Sequence, residues 1–328
     1  MNGRRLLRYF TPTYRGNRKQ CMKFIFGPVA SRRLKRSLGV DLVPYKTCSF
    51  DCLYCELGTT THLTLERKMY GVPQEIIDEL KGYLKKLALQ PDYITLGGSG
   101  EPTLHSHLGT IITEIKKLTS IPVAVLTNSS LLYRDDVKDD LLRADVILPS
   151  LDTVSPSLFK YLNRPHPFLD IKKIIQGLID FRKLFTGQLW LEVLFCRGIN
   201  DAEEEVMRLY EIIREINPDK IPLNTLDRPP AEDNVFPVSR EELERIKRFF
   251  GEKAEIITGS PSEDAQVSIA DGKRRIYDLV KRRPCTFDEI SLTLGIPKIS
   301  LMDLIEVLEN EGKISQRLHN NQVYYQGR

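Results

Sequence analysis

Apolar residues in this chain fall into two alternating arrangements: short uninterrupted runs, and longer stretches where they recur every three or four positions. The runs LGVDLV (38–43), YITLGG (93–98), PVAVLTN (122–128), DVILPSLD (145–152), QLWLEVLFCRGI (188–199) and KIPLNTL (220–226) have the character of buried strands. Between them PQEIIDELKGYLKKLAL (73–89), HLGTIITEIKKLTS (107–120), RDDVKDDLLRA (134–144), IKKIIQGLIDFRKLF (171–185) and EEEVMRLYEIIREI (203–216) carry helical periodicity. In the first of these, Ile76, Ile77, Leu80, Leu84 and Leu87 share one helical face. About six alternations of strand and helix predict right-handed βαβ units, a parallel sheet and an α/β fold. Chemistry in such folds sits on loops at the carboxyl ends of the strands. The loop after Val43, GGSGEP (97–102), LTNSS (126–130) and SLDTV (150–154) all fall there.

Beyond Leu226 the pattern changes. DRPPAEDNVFPVS (227–239) reads as a connector, EELERIKRFFGE (241–252) as a helix and EIITG (255–259) as a short strand. Then come helices KRRIYDLVKRR (273–283), FDEISLTLG (287–295) and SLMDLIEVLENEG (300–312), and a hairpin turning at Asn320–Asn321. Three short helices and a hairpin predict a small winged-helix-like module over 271–328. Such modules often reach DNA with the third helix. Here Lys298–Lys313 sets Asp303, Glu306, Glu309 and Glu311 against two lysines, the wrong sign for phosphate, so protein or substrate docking is the expectation and DNA binding is disfavoured. The expected parts are a basic arm over 1–25, the α/β body over 26–265 and the module over 271–328.

Composition and charge refine this. With 41% hydrophobic and 28% charged residues the chain is an ordinary globular protein. No apolar run approaches the roughly 18 residues of a membrane span, and MNGRRLLRYFTPTYRGNRKQ lacks a secretory apolar core, so a cytoplasmic location without membrane attachment is expected. The net charge is +4, yet residues 1–40 hold eleven Lys or Arg and no acid, so the remainder is net acidic. A basic lead of this kind can approach a polyanion such as RNA.

Of six cysteines, Cys48, Cys52 and Cys55 lie within eight residues, while Cys21, Cys196 and Cys285 stand singly, and Cys196 and Cys285 read as ordinary semi-buried thiols. A C-x3-C-x2-C loop can ligate three corners of one 4Fe-4S cubane and leave the fourth iron open. The alternative is zinc, for which the nearest further ligand is His62.

This spacing, with Tyr54 before the last cysteine, resembles the radical S-adenosylmethionine superfamily. FGPVASRRLKRSLGVDLVPYKTCSFDCLYCELG is similar to a branch of Fe-S oxidoreductases loosely grouped with wyosine-type tRNA enzymes, and the likeness runs from Phe26 to Pro230. It implies a partial, six-stranded β/α barrel holding a 4Fe-4S cluster and S-adenosyl-L-methionine. It further implies that Gly97, Gly98, Gly100 and Glu101 hold the methionine amino group, and that Asn128, Ser150 and Asp152 face the ribose or carboxylate. Glu192 and Asn224, polar on apolar strands, would line the pocket, and Tyr54 would pack near the adenine. Turn and cap chemistry is the plainer alternative for Asn128, Ser150 and Asp152. Where relatives tend to carry glycine, this chain has Lys35, which bears on whether Arg32 and Arg33 meet the same substrate or make plain salt bridges. Only Cys21 lies upstream of the motif, so the second cluster of wyosine-type enzymes is not supported.

The expected function is reductive cleavage of S-adenosylmethionine to a 5′-deoxyadenosyl radical that takes hydrogen from an RNA or polypeptide, with a flavodoxin- or ferredoxin-type electron donor. The competing readings are a redox-sensing Fe-S regulator that binds DNA and an activase of glycyl-radical enzymes.

Overall fold

The computed structural model describes residues 24–87, 89–257, 272–294, 296 and 298–328. Most of the expected basic arm, with Cys21, lies outside them.

In chain order the elements are β1 (Ile25–Ser31), β2 (Lys35–Val40), β3 (Thr47–Cys48), β4 (His62–Leu63), α1 (Pro73–Leu84), β5 (Tyr93–Leu96), α2 (Leu108–Leu118) and β6 (Val123–Thr127). There follow α3 (Asp135–Leu141), β7 (Val146–Pro149), α4 (Pro156–Leu162), α5 (Ile171–Leu184), β8 (Gln188–Leu189), β9 (Val193–Phe195), α6 (Glu203–Ile216), β10 (Ile221–Thr225), α7 (Arg240–Phe250) and β11 (Ala254–Ile256). The last part holds α8 (Gly272–Arg282), β12 (Cys285–Thr286), α9 (Phe287–Leu294), α10 (Lys298–Asn310), β13 (Ile314–His319) and β14 (Gln322–Gly327).

One sheet runs β1-β2-β5-β6-β7-β8 and a second β11-β10-β9. All pairs from β2 to β8 are parallel, as are those of the second sheet. Single bridges Ser150–Glu192 and Trp190–Lys220 carry the parallel order from one sheet to the next. The predicted strand 188–199 is thus broken into β8 and β9 where the surface curves. Strands buried on both faces must be continuously apolar, and β7 is buried at every position. Helices close the outside, α5 with Ile171, Ile174, Leu178 and Phe181 turned inward.

The edge strand β1 was not anticipated, because Gly27 and Pro28 interrupt its sequence. It pairs antiparallel with β2 across an irregularity between Phe26 and Val29, where an edge tolerates a proline. At the β1–β2 turn Lys35 adopts φ 50, a left-handed conformation that glycine reaches without a Cβ penalty. That conformation accounts for the glycine expected in relatives.

Residues 272–328 gather their own apolar cluster, including Ile276, Leu279, Ile290, Leu301, Ile305 and Ile314, with Val29 of β1 packed against it. A three-stranded sheet β12-β14-β13 covers it. The hairpin turns at Asn320 and Asn321, both at positive φ as a tight two-residue turn requires. Among the described residues no helix is long and apolar enough to cross a membrane.

Candidate functional site

Pro44 ends the apolar run after β2, and the chain enters a loop whose first turn is fixed by Lys46 in a left-handed conformation (φ 57). β3 pairs with β4, so Cys48 lies opposite Leu63. The loop is stitched to the glycine loop after β5: Lys46 N–H donates to Ser99 O at 2.7 Å, and Glu101 N–H to Thr47 O at 3.1 Å. A Cβ on Gly100 would collide with Thr47 O, so only glycine permits this approach.

Each thiol meets its own N–H donor. Asn128 Nδ2 lies 3.5 Å from Cys48 Sγ, Asn163 Nδ2 3.6 Å from Cys52 Sγ, and Lys46 Nζ 3.1 Å from Cys55 Sγ. Burial pushes the Cys48 thiol up to about 12 and the Cys52 thiol well above its ordinary value, with neighbouring thiols and Asp152 adding to it. Three half-buried sulfurs, each offered a hydrogen bond, suit a cationic iron-sulfur centre. Among the described residues no group of three His, Cys, Asp or Glu is placed to hold a single metal ion, and His62 is exposed.

Glu101 is 2% exposed and works as a hub. Its Oε1 accepts from Thr103 N, Thr103 Oγ1 and Thr127 Oγ1, and its Oε2 from Asn128 N at 2.7 Å. Burial raises its carboxyl above the ordinary range against these four hydrogen bonds. Asn128 is therefore held from both sides, by Glu101 at its backbone and by Ser49 and Cys48 at its amide.

A small cavity of about 50 Å³ brings Tyr54, Asn128, Ser150 and Asp152 together with Asn163. Tyr54 Oη donates to Asp152. Asp152 also accepts from Leu194 N at 3.0 Å and Asn163 Nδ2 at 2.9 Å. Burial raises both the Asp152 carboxyl and the Tyr54 phenol, the latter further through the adjacent carboxylate. Glu192 and Asn224 form a separate pair, Asn224 Nδ2 donating to Glu192 Oε1 at 3.2 Å, and Arg33 makes an ion pair with Glu192. Desolvation, with Arg32 next to it, lowers the Arg33 guanidinium to about 10. Arg32 pairs with Asp227, so both arginines are engaged in salt bridges.

Two residues escaped the sequence reading. Lys46 stands two before Cys48, a visible position without a known pattern. Asn163 ends α4, a helix not anticipated, and reaches Cys52 across 111 positions of sequence; no local signal marks it. Cys196 and Cys285 are fully buried rather than half-buried.

Arg228 links this loop to the last part of the chain, pairing with Glu56 at 3.1 Å and Glu289 at 2.5 Å and donating to Pro284 O. Beside it lies a polar cleft of about 240 Å³, walled by Tyr45 and Glu56–Thr59 on one side and Lys281, Arg283 and Arg317 on the other.

A parallel α/β body with its polar loops gathered at the strand ends, one of them bearing three thiols, is the architecture of an enzyme. The chain belongs to the Radical SAM superfamily, whose family model matches residues 42–210. It is 34% identical over 93% of its length to a UPF0026 protein of Methanocaldococcus jannaschii, 96% of which is covered. It is 37% identical over 92% of its length to a Brachyspira hyodysenteriae protein named GTPase Obg, of which it spans only 45%. Among solved structures, a radical SAM methyltransferase from Sphaerobacter thermophilus superposes with TM-score 0.51 at 16% identity, over 67% of this chain and 65% of that one. A spore photoproduct lyase variant superposes with TM-score 0.50 at 14% identity, over 73% and 80%. The protein is thus a radical SAM enzyme, and its family implies a 4Fe-4S cluster and S-adenosylmethionine as cofactors.

Proposed function

We propose that Cys48, Cys52 and Cys55 carry the cluster, that Gly97, Gly98, Gly100, Glu101, Asn128, Ser150 and Asp152 hold S-adenosylmethionine, and that the substrate is an RNA or polypeptide. The observation that carries this reading is the stitching of the cysteine loop to the glycine loop, with Asn128 bonded to both Cys48 and Glu101. When bound, the cluster supplies the electron that cleaves the sulfonium of S-adenosylmethionine to a 5′-deoxyadenosyl radical. Lys46, Asn128 and Asn163 orient and compensate the three sulfurs. Glu101 fixes the loop and keeps capacity on Oε2 to accept from an ammonium group. Tyr54 and Asn163 hold Asp152 in place beside the cavity. Glu192 and Asn224 would line the deeper wall.

The sequence of 26–265 serves as the catalytic body and 271–328 as a winged-helix-like docking module, with the polar cleft between them as the approach for a macromolecule. The kinship to Fe-S oxidoreductases of the wyosine-type group rests on the 26–58 segment. The electron donor would be of flavodoxin or ferredoxin type and the setting cytoplasmic.

Anaerobically reconstituted protein with dithionite and S-adenosylmethionine should yield 5′-deoxyadenosine, and Cys52→Ala should not. A reconstituted wild type that makes none would sink the reading. Deuterium appearing in 5′-deoxyadenosine from labelled RNA or protein fractions would then identify the substrate. A salt-sensitive DNA shift lost on removing 271–328 would favour the regulator instead.

A further inference from the structure

We propose that Asp41 and Arg282 form a positioning pair through which the C-terminal part of the chain fixes the glycine loop and so sets the affinity for S-adenosylmethionine. The inference rests on reading Gly97–Glu101 as the loop that holds that cofactor.

Asp41 directly follows β2 and is 7% exposed. Its Oδ1 accepts the Ser99 backbone N–H and its Oδ2 the Ser99 hydroxyl, both at 2.6 Å. A Cβ on Gly98 would stand 2.7 Å from Asp41 Oδ1 and 3.0 Å from the Phe26 ring, so a glycine is what admits the carboxylate here. One side chain therefore grips the middle of the loop, whose other attachments run from Ser99 O and Glu101 N to the cysteine loop.

A buried carboxylate holds such a grip only if its charge is compensated. Burial pushes the Asp41 carboxyl upward, and Arg282 is the leading opposing influence. Arg282 comes from the last turn of α8, some 240 residues away in sequence, and pairs with Asp41 Oδ2. Its guanidinium also lies 4.6 Å over the centroid of Phe26, which itself packs on Gly39 and Gly98. The turn that presents it is wedged: a Cβ on Gly327 of β14 would fall 2.7 Å from Lys281 Cα. Its neighbours Lys281 and Arg283 line the cleft facing the cysteine loop. The same turn of helix thus touches the cofactor loop and the cleft. Neither Asp41 nor Arg282 lies in the cysteine or glycine motif.

The test uses full-length, cluster-reconstituted protein and S-adenosylmethionine itself. Arg282→Ala should raise both the dissociation constant and the KM for S-adenosylmethionine about tenfold, with kcat and iron content close to wild type. Arg282→Lys should recover most of the loss. Ser99→Ala, which removes one of the carboxylate's bonds and leaves the ion pair, should raise both constants by a smaller factor. Folded, iron-loaded Arg282→Ala with wild-type affinity and KM would overturn the proposal. If Arg282→Ala does not fold, Arg282→Gln, which removes the charge and keeps an amide donor, decides: a raised dissociation constant supports the pair and an unchanged one overturns it. A wild type that neither binds nor cleaves S-adenosylmethionine overturns the loop reading and the pair together, an outcome distinct from failure of the variants alone.

Discussion

At the scale of single residues, the site is built from donors aimed at sulfur and carboxylates aimed at backbone. Asn163 does the most with one amide, reaching Cys52, Tyr54 and Asp152. Asn163→Ala leaves Asp152 buried with one donor fewer and Cys52 with none from this side chain. We expect a roughly 10- to 100-fold loss in 5′-deoxyadenosine formation, the usual cost of removing an outer partner of a metal ligand, with the protein still folded by circular dichroism. The cysteines were legible because their spacing is itself the chemistry. Glu101 was legible as a site but not as a hub, since its four donors come from Thr103, Thr127 and Asn128 and only the folded chain brings the last two to it.

At the scale of elements, periodicity located nearly every helix and parallel strand, α6 to the residue. It missed β1, whose proline and glycine disguise an edge strand, and α4, a seven-residue helix too short to show a period. It also joined β8 to β9, because a bend in a strand leaves its apolar run unbroken. The turn between β1 and β2 gives a direct prediction. Lys35→Gly relieves a left-handed lysine and should stabilise the protein by about 0.5 kcal/mol, the αL penalty less the entropy of glycine, read as a shift in denaturant midpoint.

The short turn Pro102–Leu104 behind the glycine loop ends at His105, which is fully buried. Its Nε2–H donates to Gly71 O at 3.0 Å and its Nδ1 accepts from His107 N. Burial lowers its pKa to about 4, with His107 and Arg67 contributing in the same direction. As pH falls below the ordinary histidine value, the unfolded chain takes up a proton that the folded one refuses. Stability from this group is therefore complete above about pH 6.5, is lost between there and pH 4, and is level below. By pH 5 the loss amounts to about 2 kcal/mol. Urea titrations at pH 7 and pH 5 should show that much less pH dependence in His105→Gln than in wild type.

At the scale of the whole molecule, residues 272–328 are tied to the α/β body by charged residues as well as by Val29 packed on their apolar cluster. Arg228 is chief among those charges, only 10% exposed in its side chain and clamped between Glu56 and Glu289. Opposed by burial, the two carboxylates still hold its guanidinium above the ordinary range. Arg228→Ala would strand both acids and should cost about 3 kcal/mol in denaturant unfolding. Added salt should erode the share of Glu56, whose side chain is 40% exposed, more than that of Glu289 at 15%. None of this was legible in advance: the connector 227–239 reads as low order, and the ion pairs that give it meaning span 61 and 172 positions.

The resistance of the motif thiols to losing a proton has one further consequence, for the life of the chain before iron arrives. Oxidants and alkylating agents attack the thiolate, not the thiol. With burial pushing the Cys48 thiol up to about 12 and the Cys52 thiol well above its ordinary value, a newly made polypeptide presents these two sulfurs to air in their least reactive form. The loop that awaits its cofactor is thereby its own preservative: burial slows their oxidation until metal displaces the protons.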